Sequence, residues 1–306
     1  RVCVVFLRPL GLRLEKLLQG LRDYFLFSAD AEVTIEANPG TLTPEKLSIY
    51  RKYGINRISI GLQSPNNKEL AMLGRIHNYA QFLESFQMAR EAGFSNINVD
   101  LMFAIPGQCY EDWIENLRMV AALGPEHISA YSLIIEEGTP FSRKKLDLPD
   151  EDTEYRMYED VAVVLKEYGY HQYEISNYAK AGCECRHNEG YWQRKDYLGL
   201  GLGAASLLGK ERFSNTSDMQ EYLKNSSAPE KIRKNRELLT REDEMAEFMF
   251  LGLRMTQGVS KKEFQEYFGT AIENIYGEVL KKYKKQGLLL EESGRIFFPV
   301  TSQVST

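Results

Sequence analysis

Apolar positions along this chain switch repeatedly between a spacing of two and a spacing of three to four, and the switching predicts alternating strands and helices. Residues 2–7 form a short apolar run that predicts a strand. Leu14, Leu17, Leu18, Leu21 and Phe25 then recur at helical spacing, giving a helix over 12–27. Residues 32–37 alternate like a strand and stop at Asn38-Pro39-Gly40. Thr43-Pro44-Glu45 supplies a capping hydroxyl and a proline at the first helical position, so a helix opens there and ends near Tyr53 with Gly54 as its cap. Residues 57–62 predict the next strand, with Gln63 at its end. Helices near 67–73 and 79–92 follow, and Arg75 lies in the link between them.

The strand at 96–105 is the centre of the pattern. Ile97, Val99, Leu101, Phe103 and Ile105 make a nearly continuous apolar, β-prone run that Asp100 interrupts. A carboxylate there is costly unless neighbours donate hydrogen bonds to it. Pro106-Gly107 turns the chain into a helix over 110–123 with Trp113, Leu117, Val120 and Ala121 on one face. Residues 127–135 predict a strand, 151–168 a long amphipathic helix and 171–175 another strand. Successive βα units of this kind require a parallel sheet with right-handed crossovers, closed as a barrel or part of one. Glu36, Gln63, Asp100 and Ser132 fall at or near strand C-terminal ends, the rim where such barrels hold ligands. The plainer reading of Asp100 is an acid capping a local turn.

The pattern changes after Ser176. Residues 177–188 are polar and carry Cys183, Cys185 and His187, followed by Tyr191-Trp192 and a glycine-rich run at 199–209. Those glycines lack dinucleotide spacing, so close backbone packing is an equal account of them. From Leu239 the chain is mostly helical. Thr240 and Asp243 form a capping-box start, helices follow over 261–268 and 272–286, and 287–300 predicts a hairpin turning at Ser293-Gly294. This is a winged-helix-like tail whose lysines at 281, 282, 284 and 285 read as a solvated helix face.

Composition narrows the function. The chain has 306 residues, 43% hydrophobic and 26% charged, with a net charge of -5. The acidic balance argues against a nucleic-acid binder. No apolar run is long enough to span a membrane and no signal peptide is visible, so the cytoplasm is the expected compartment. The four cysteines, Cys3, Cys109, Cys183 and Cys185, form no disulfide framework.

EANPGTLT (36–43), RISIGLQS (57–64), LGRIHN (73–78), VDLMFAIPGQ (99–108), ISAYSL (128–133) and CRHNEGYW (185–192), in this order, resemble radical S-adenosylmethionine (SAM) proteins. Within these they resemble the oxygen-independent coproporphyrinogen oxidase-like family, and the HN-x-x-YW signature points to its haem-chaperone branch. The resemblance implies an α/β fold: a radical SAM partial (β/α) barrel over 1–176, a connecting region over 177–238 and a C-terminal, mostly helical, winged-helix-like domain over 239–306. It implies that Glu36, Gln63, Arg75 and Asp100 contact SAM and that Ile134 lines the adenosyl pocket. A buried carboxylate or amide suits ribose hydroxyls, and a guanidinium suits the SAM carboxylate. Without the motif, Arg75 would read as a surface ion pair. His187, Tyr191 and Trp192 are the candidate haem contacts, an axial imidazole with two stacking rings. The alternative is that His187, Asn188 and Trp192 fasten their loop to the barrel.

The chain departs from the family pattern. No C-x-x-x-C-x-x-C motif is present to hold a [4Fe-4S] cluster. CVVFLRPLG (3–11) stands where a GGGTPS-like segment is expected, and the first residue is Arg. A truncated or frame-shifted N-terminus is therefore expected, and reductive SAM cleavage is not. Cys109 replaces a frequent threonine cap, and Ala205 stands where many members have histidine. The resulting expectation is a haem chaperone that binds haem and SAM and delivers haem to target proteins, with a homodimer left open. The alternatives are an oxygen-independent coproporphyrinogen III oxidase in porphyrin biosynthesis and a non-catalytic remnant.

Overall fold

The computed structural model describes residues 2–4, 11–139 and 141–299, the side chains from Leu14 onward. They form two compact units, the first ending at Glu184 and the second beginning at Cys185.

The first unit follows the βα rhythm. Its elements are β1 (Val2–Val4), α1 (Gly11–Tyr24), β2 (Val33–Ala37), α2 (Pro44–Lys52), β3 (Arg57–Gln63), α3 (Asn67–Met72), α4 (Tyr79–Glu91), β4 (Ile97–Phe103), α5 (Tyr110–Ala122), β5 (His127–Ser132), α6 (Glu151–Glu167), β6 (His171–Glu174) and β7 (Asn177–Ala179). The helix starts arise as their sequences require. Thr43 caps α2 with proline in its first turn, and Asn78 and Gln81 form a reciprocal capping box on α4. Cys109 does cap α5, its Sγ accepting from Asp112 N at 3.4 Å.

The sheet runs in the order β1-β2-β3-β4-β5-β7-β6. Strands β1 to β5 pair in parallel. The last two depart from the expected all-parallel sheet: β7 is antiparallel to both β5 and β6. The cause is local. Glu174 Oε1 accepts from Ser176 N at 2.9 Å and from Asn177 Nδ2 at 2.5 Å, which folds the strand expected at 171–175 into a tight hairpin. The strand expected over 127–135 ends at Ser132. The N-terminal strand covers Val2–Val4 of the expected 2–7, and residues 5–10 lie outside the described residues.

One face of this sheet is apolar. Ile35, Ile58, Ile60, Val99, Leu101 and Ile128 are buried there with Phe82, Trp113, Leu117 and Val161 from the helices. Burying each such side chain contributes roughly 1.5–3 kcal/mol, so this layer holds the unit together. Trp113 Nε1 also donates to the Met157 carbonyl at 3.0 Å, tying α5 to α6.

The second unit contains α7 (Arg186–Trp192), β8 (Ala205–Leu208), β9 (Glu211–Asn215), α8 (Met219–Asn225), α9 (Pro229–Ile232), β10 (Arg233–Leu238), α10 (Arg241–Gly252), β11 (Val259–Ser260), α11 (Lys261–Phe268), α12 (Ile272–Lys285), β12 (Leu290–Glu292) and β13 (Arg295–Phe297). One expectation is corrected. The HN-x-x-YW stretch, read as part of a polar loop, is the helix α7. The glycine-rich run leads into an antiparallel sheet ordered β10-β9-β8. β8 is only four residues long, and β9 and β10 are largely polar, so hydrophobic periodicity marks none of them. The tail forms as expected: Thr240 and Asp243 make the capping box of α10, and the hairpin β12–β13 turns at Ser293-Gly294 and carries β11 on its edge. Met245, Phe264, Phe268, Ile272, Leu280 and Ile296 form its core.

Candidate functional site

The other face of the first unit's sheet is polar, and register explains why. Glu36, Ser59, Asn98 and His127 lie side by side across β2, β3, β4 and β5. Side chains alternate along a strand, so Asp100 and Ser129, paired two residues further on, share that face. Asn98, hidden in what reads as an apolar run, belongs to the same polar layer.

This layer is a hydrogen-bond relay ending on Asp100. His127 is fully buried, and burial lowers its pKa, so it is neutral. Its Nδ1 contacts Asn98 Oδ1 at 2.5 Å, an acceptor, so Nδ1 carries the proton and Nε2 accepts from the Tyr173 hydroxyl at 2.8 Å. Asn98 Nδ2 then donates to Asp100 Oδ1 at 2.8 Å and to Ser59 Oγ at 2.7 Å. Ser59 Oγ in turn donates to Asp100 Oδ2 at 3.1 Å. Burial pushes the Asp100 carboxyl up, while the Asn98, Ser59 and Ser129 hydrogen bonds and the Arg57 guanidinium pull it back. Asp100 is thus held on two sides, and it is not a turn cap.

Glu36 lies exposed on the same face of β2. Its carboxyl is also raised, first by the protein around it and then by the Asp100 charge, with Arg57 opposing. Gln63 is buried at the end of β3 in a left-handed conformation, φ 73°. Its Oε1 accepts from the Tyr131 hydroxyl at 3.0 Å. Burial raises the Tyr131 phenol most; the charges of Asp100 and Glu36 raise it further, and Arg75 lowers it. Gln63 thus bonds the Tyr131 phenol, and the charges of Asp100, Arg75 and Glu36 all act on it. Arg75 is exposed and makes no ion pair among the described residues, so the surface-pair reading of it falls away. His77 carries the Arg75 link: its buried Nε2 contacts the Leu62 carbonyl at 3.0 Å, fixing that link to the end of β3.

Two other residues from the sequence reading lie elsewhere. Ser132 pairs with Phe103 and faces the apolar side, because it is one residue out of phase with Tyr131. Ile134 is 78% exposed beyond the end of β5. Tyr131 is the residue that sequence reasoning missed. Counting by twos from Ser129 opposite Asp100 would have found it. The same count back from Asp100 along its own strand reaches Asn98, whereas His77 carried no comparable signal.

In the second unit, His187 and Tyr191 are one turn apart on α7. Their rings meet edge to face with centroids 4.5 Å apart, and Tyr191 meets Tyr197 in the same way at 4.7 Å. Trp192 is separated from this pair. The Arg254 guanidinium lies 4.3 Å from its ring centroid, and Trp192 Nε1 is buried without a hydrogen-bond partner among the described residues. Arg194, beside the motif, is buried against Glu244 and Glu247 of α10, which fixes the end of α7 to that helix.

Comparison with known proteins shows the family. The chain is 38% identical over 290 residues to the heme chaperone HemW of Bacillus subtilis, covering 93% of this chain and 76% of that one. This chain belongs to the HemW family. The HemW of Escherichia coli is 35% identical over 300 residues, covering 94% of this chain and 78% of the relative, and that of Lactococcus lactis is 37% identical over 288 residues. The radical SAM superfamily model matches residues 6–120, the stretch that carries Glu36, Gln63, Arg75 and Asp100. The HemN C-terminal domain model matches residues 239–299, from just before α10 through β13. The fold is also that of the solved E. coli coproporphyrinogen III oxidase HemN, titled a radical SAM enzyme. That likeness has a TM-score of 0.82 at 22% identity, covering 95% of this chain and 71% of that chain. No helix among the described residues is long and apolar enough to cross a membrane.

Proposed function

We propose that this chain is a haem carrier that binds haem, binds SAM at the polar rim of its first unit, and delivers haem to target proteins. The observation that carries the reading is the pairing of His187 and Tyr191 on α7, in a chain whose relatives are named heme chaperones. The imidazole is an axial donor for haem iron, and Tyr191, at 36% exposure, offers ring surface beside it. Trp192, held under Arg254, supports the helix rather than the porphyrin.

The donor set at the rim fits SAM. Asp100 and Glu36 are acceptors for hydroxyls, Gln63 is an amide, and Arg75 is a guanidinium without an ion pair among the described residues. These residues bind and orient. The residues present do not fit an iron–sulfur cluster: Cys109 is spent as the cap of α5, and the sequence has no C-x-x-x-C-x-x-C triplet. No reductive step is therefore assigned to the residues of this chain.

The test is a haem titration of wild type and His187→Ala, with circular dichroism as the control for folding. A weaker complex with a shifted Soret band is the expected result. The Tyr191 ring remains, and burying one aromatic is worth roughly 1.5–3 kcal/mol, so some binding persists. Equal affinity and equal spectra would show that haem is bound elsewhere.

A further inference from the structure

Gln63 is the one amide among the residues gathered at the rim, and an amide can meet a ligand with either end. The structure decides which. Tyr131 donates its hydroxyl proton to Gln63 Oε1 at 3.0 Å, so the oxygen is already engaged. The nitrogen end lies over Gly61. Gln63 Nε2 sits 3.0 Å from where a Cβ on Gly61 would stand, and Asn38 Oδ1 approaches the same point to 3.7 Å. An amide nitrogen beside that oxygen and an amide oxygen beside the phenol is the arrangement in which like groups do not face each other. The backbone contributes too. Gln63 holds φ 73°, a conformation that costs of order 1 kcal/mol in a non-glycine residue. Ser64 fixes the following turn, its Oγ accepting from Asn66 N at 2.9 Å and donating to the buried Glu69 carboxylate.

The geometry points to Tyr131 as a positioning residue of this pocket, one that locks the Gln63 carboxamide so that it meets the bound nucleoside as a hydrogen-bond donor. The ligand atom opposite Gln63 is then an acceptor: a ring nitrogen or ether-type oxygen of the nucleoside, not a hydroxyl proton or an amino group. This rests on reading the rim as the SAM site. Gly61 belongs to the same device, because a side chain there would displace the amide nitrogen.

The experiment has two arms on the full 306-residue chain. In the first, without ligand, the side-chain nitrogen of Gln63 is followed by NMR in wild type and Tyr131→Phe. The expected result is a shifted or doubled carboxamide signal in the variant, as the amide gains a second orientation. An unchanged signal overturns the proposal whether or not SAM binds. In the second, SAM is titrated calorimetrically into wild type, Tyr131→Phe, Gln63→Ala and the double variant. Loss of one neutral hydrogen bond predicts an affinity about two- to tenfold weaker for Tyr131→Phe. That loss should vanish in the Gln63→Ala background, since Tyr131 acts through Gln63. Additive losses overturn the proposal. A wild type that ignores SAM while the first arm responds overturns the SAM reading and leaves the positioning role standing.

Discussion

Asp100 concentrates the residue-scale argument. The strand pattern showed an acid where an apolar residue belongs, and the structure supplies what the acid needs: donors from Asn98 and Ser59. Those donors do not fully offset burial, because the carboxyl is still raised above the usual range. The sign follows. A raised folded pKa means that the folded protein keeps a proton the unfolded chain has lost. The associated stability is full below the unfolded pKa and falls as pH rises from there through the raised value. Asp100→Asn removes that slope. The amide fits, since its oxygen can face Asn98 Nδ2 and the Ser59 hydroxyl can rotate to accept from its nitrogen. The variant should therefore be more stable than wild type at neutral pH, with the gap closing as pH falls below about 4, the pKa of an unfolded-chain aspartate. Thermal melts across that range check it. SAM affinity should fall in the same variant, because the anionic acceptor is gone.

At the scale of elements, the segment after β3 shows how packing positions a site. Helix α3 is short, and its pattern alone marks nothing beyond a helix. Its Glu69 is buried, and one oxygen, Oε2, accepts from Ser64 Oγ at 2.5 Å, Asn116 Nδ2 at 2.9 Å and Gln108 Nε2 at 3.1 Å. That carboxyl therefore joins the turn after Gln63, the loop after β4 and the helix α5. Its pKa is raised, chiefly by burial. Glu69→Ala leaves two buried amides without an acceptor, at roughly 1–3 kcal/mol each. Urea unfolding followed by Trp113 fluorescence in a Trp192→Phe background should show a loss of about 2–5 kcal/mol from the first unit. Glu69→Gln, which keeps an acceptor oxygen, should lose about half as much. Equal midpoints for all three proteins would show that the hub is dispensable.

For the molecule as a whole, the family's fold is present while the ligands of its cluster are not in this sequence. Anaerobic reconstitution of the 306-residue chain with iron and sulfide should give no broad visible absorbance near one cluster per chain. Stoichiometric cluster signals would mean that Cys3, Cys109, Cys183 and Cys185 assemble in a way that their spacing does not foretell. SAM binding, if measured in the same preparation, then reports the rim residues alone. Its affinity should drop when Arg75 becomes Met, because the guanidinium is the rim's complement to the SAM carboxylate.

The sequence by itself determined the βα rhythm, the helix starts at Thr43 and Thr240, the hairpin at Ser293-Gly294 and the list of polar residues worth watching. Those are local matters: period, caps and turn chemistry act within a few residues. Tertiary structure decided which polar residues share a face. Parallel register set Ser59, Ser129 and Tyr131 on the face of Asp100 and turned Ser132 away, and a single-residue step was enough because side chains alternate. It also bent β6 back into β7, wound the HN-x-x-YW stretch into α7 and built a sheet from strands too polar to announce themselves. Register and sheet order depend on partners far along the chain, which no local pattern contains, whereas the β6–β7 turn is a short-range bond of Glu174 that hydrophobic periodicity does not show.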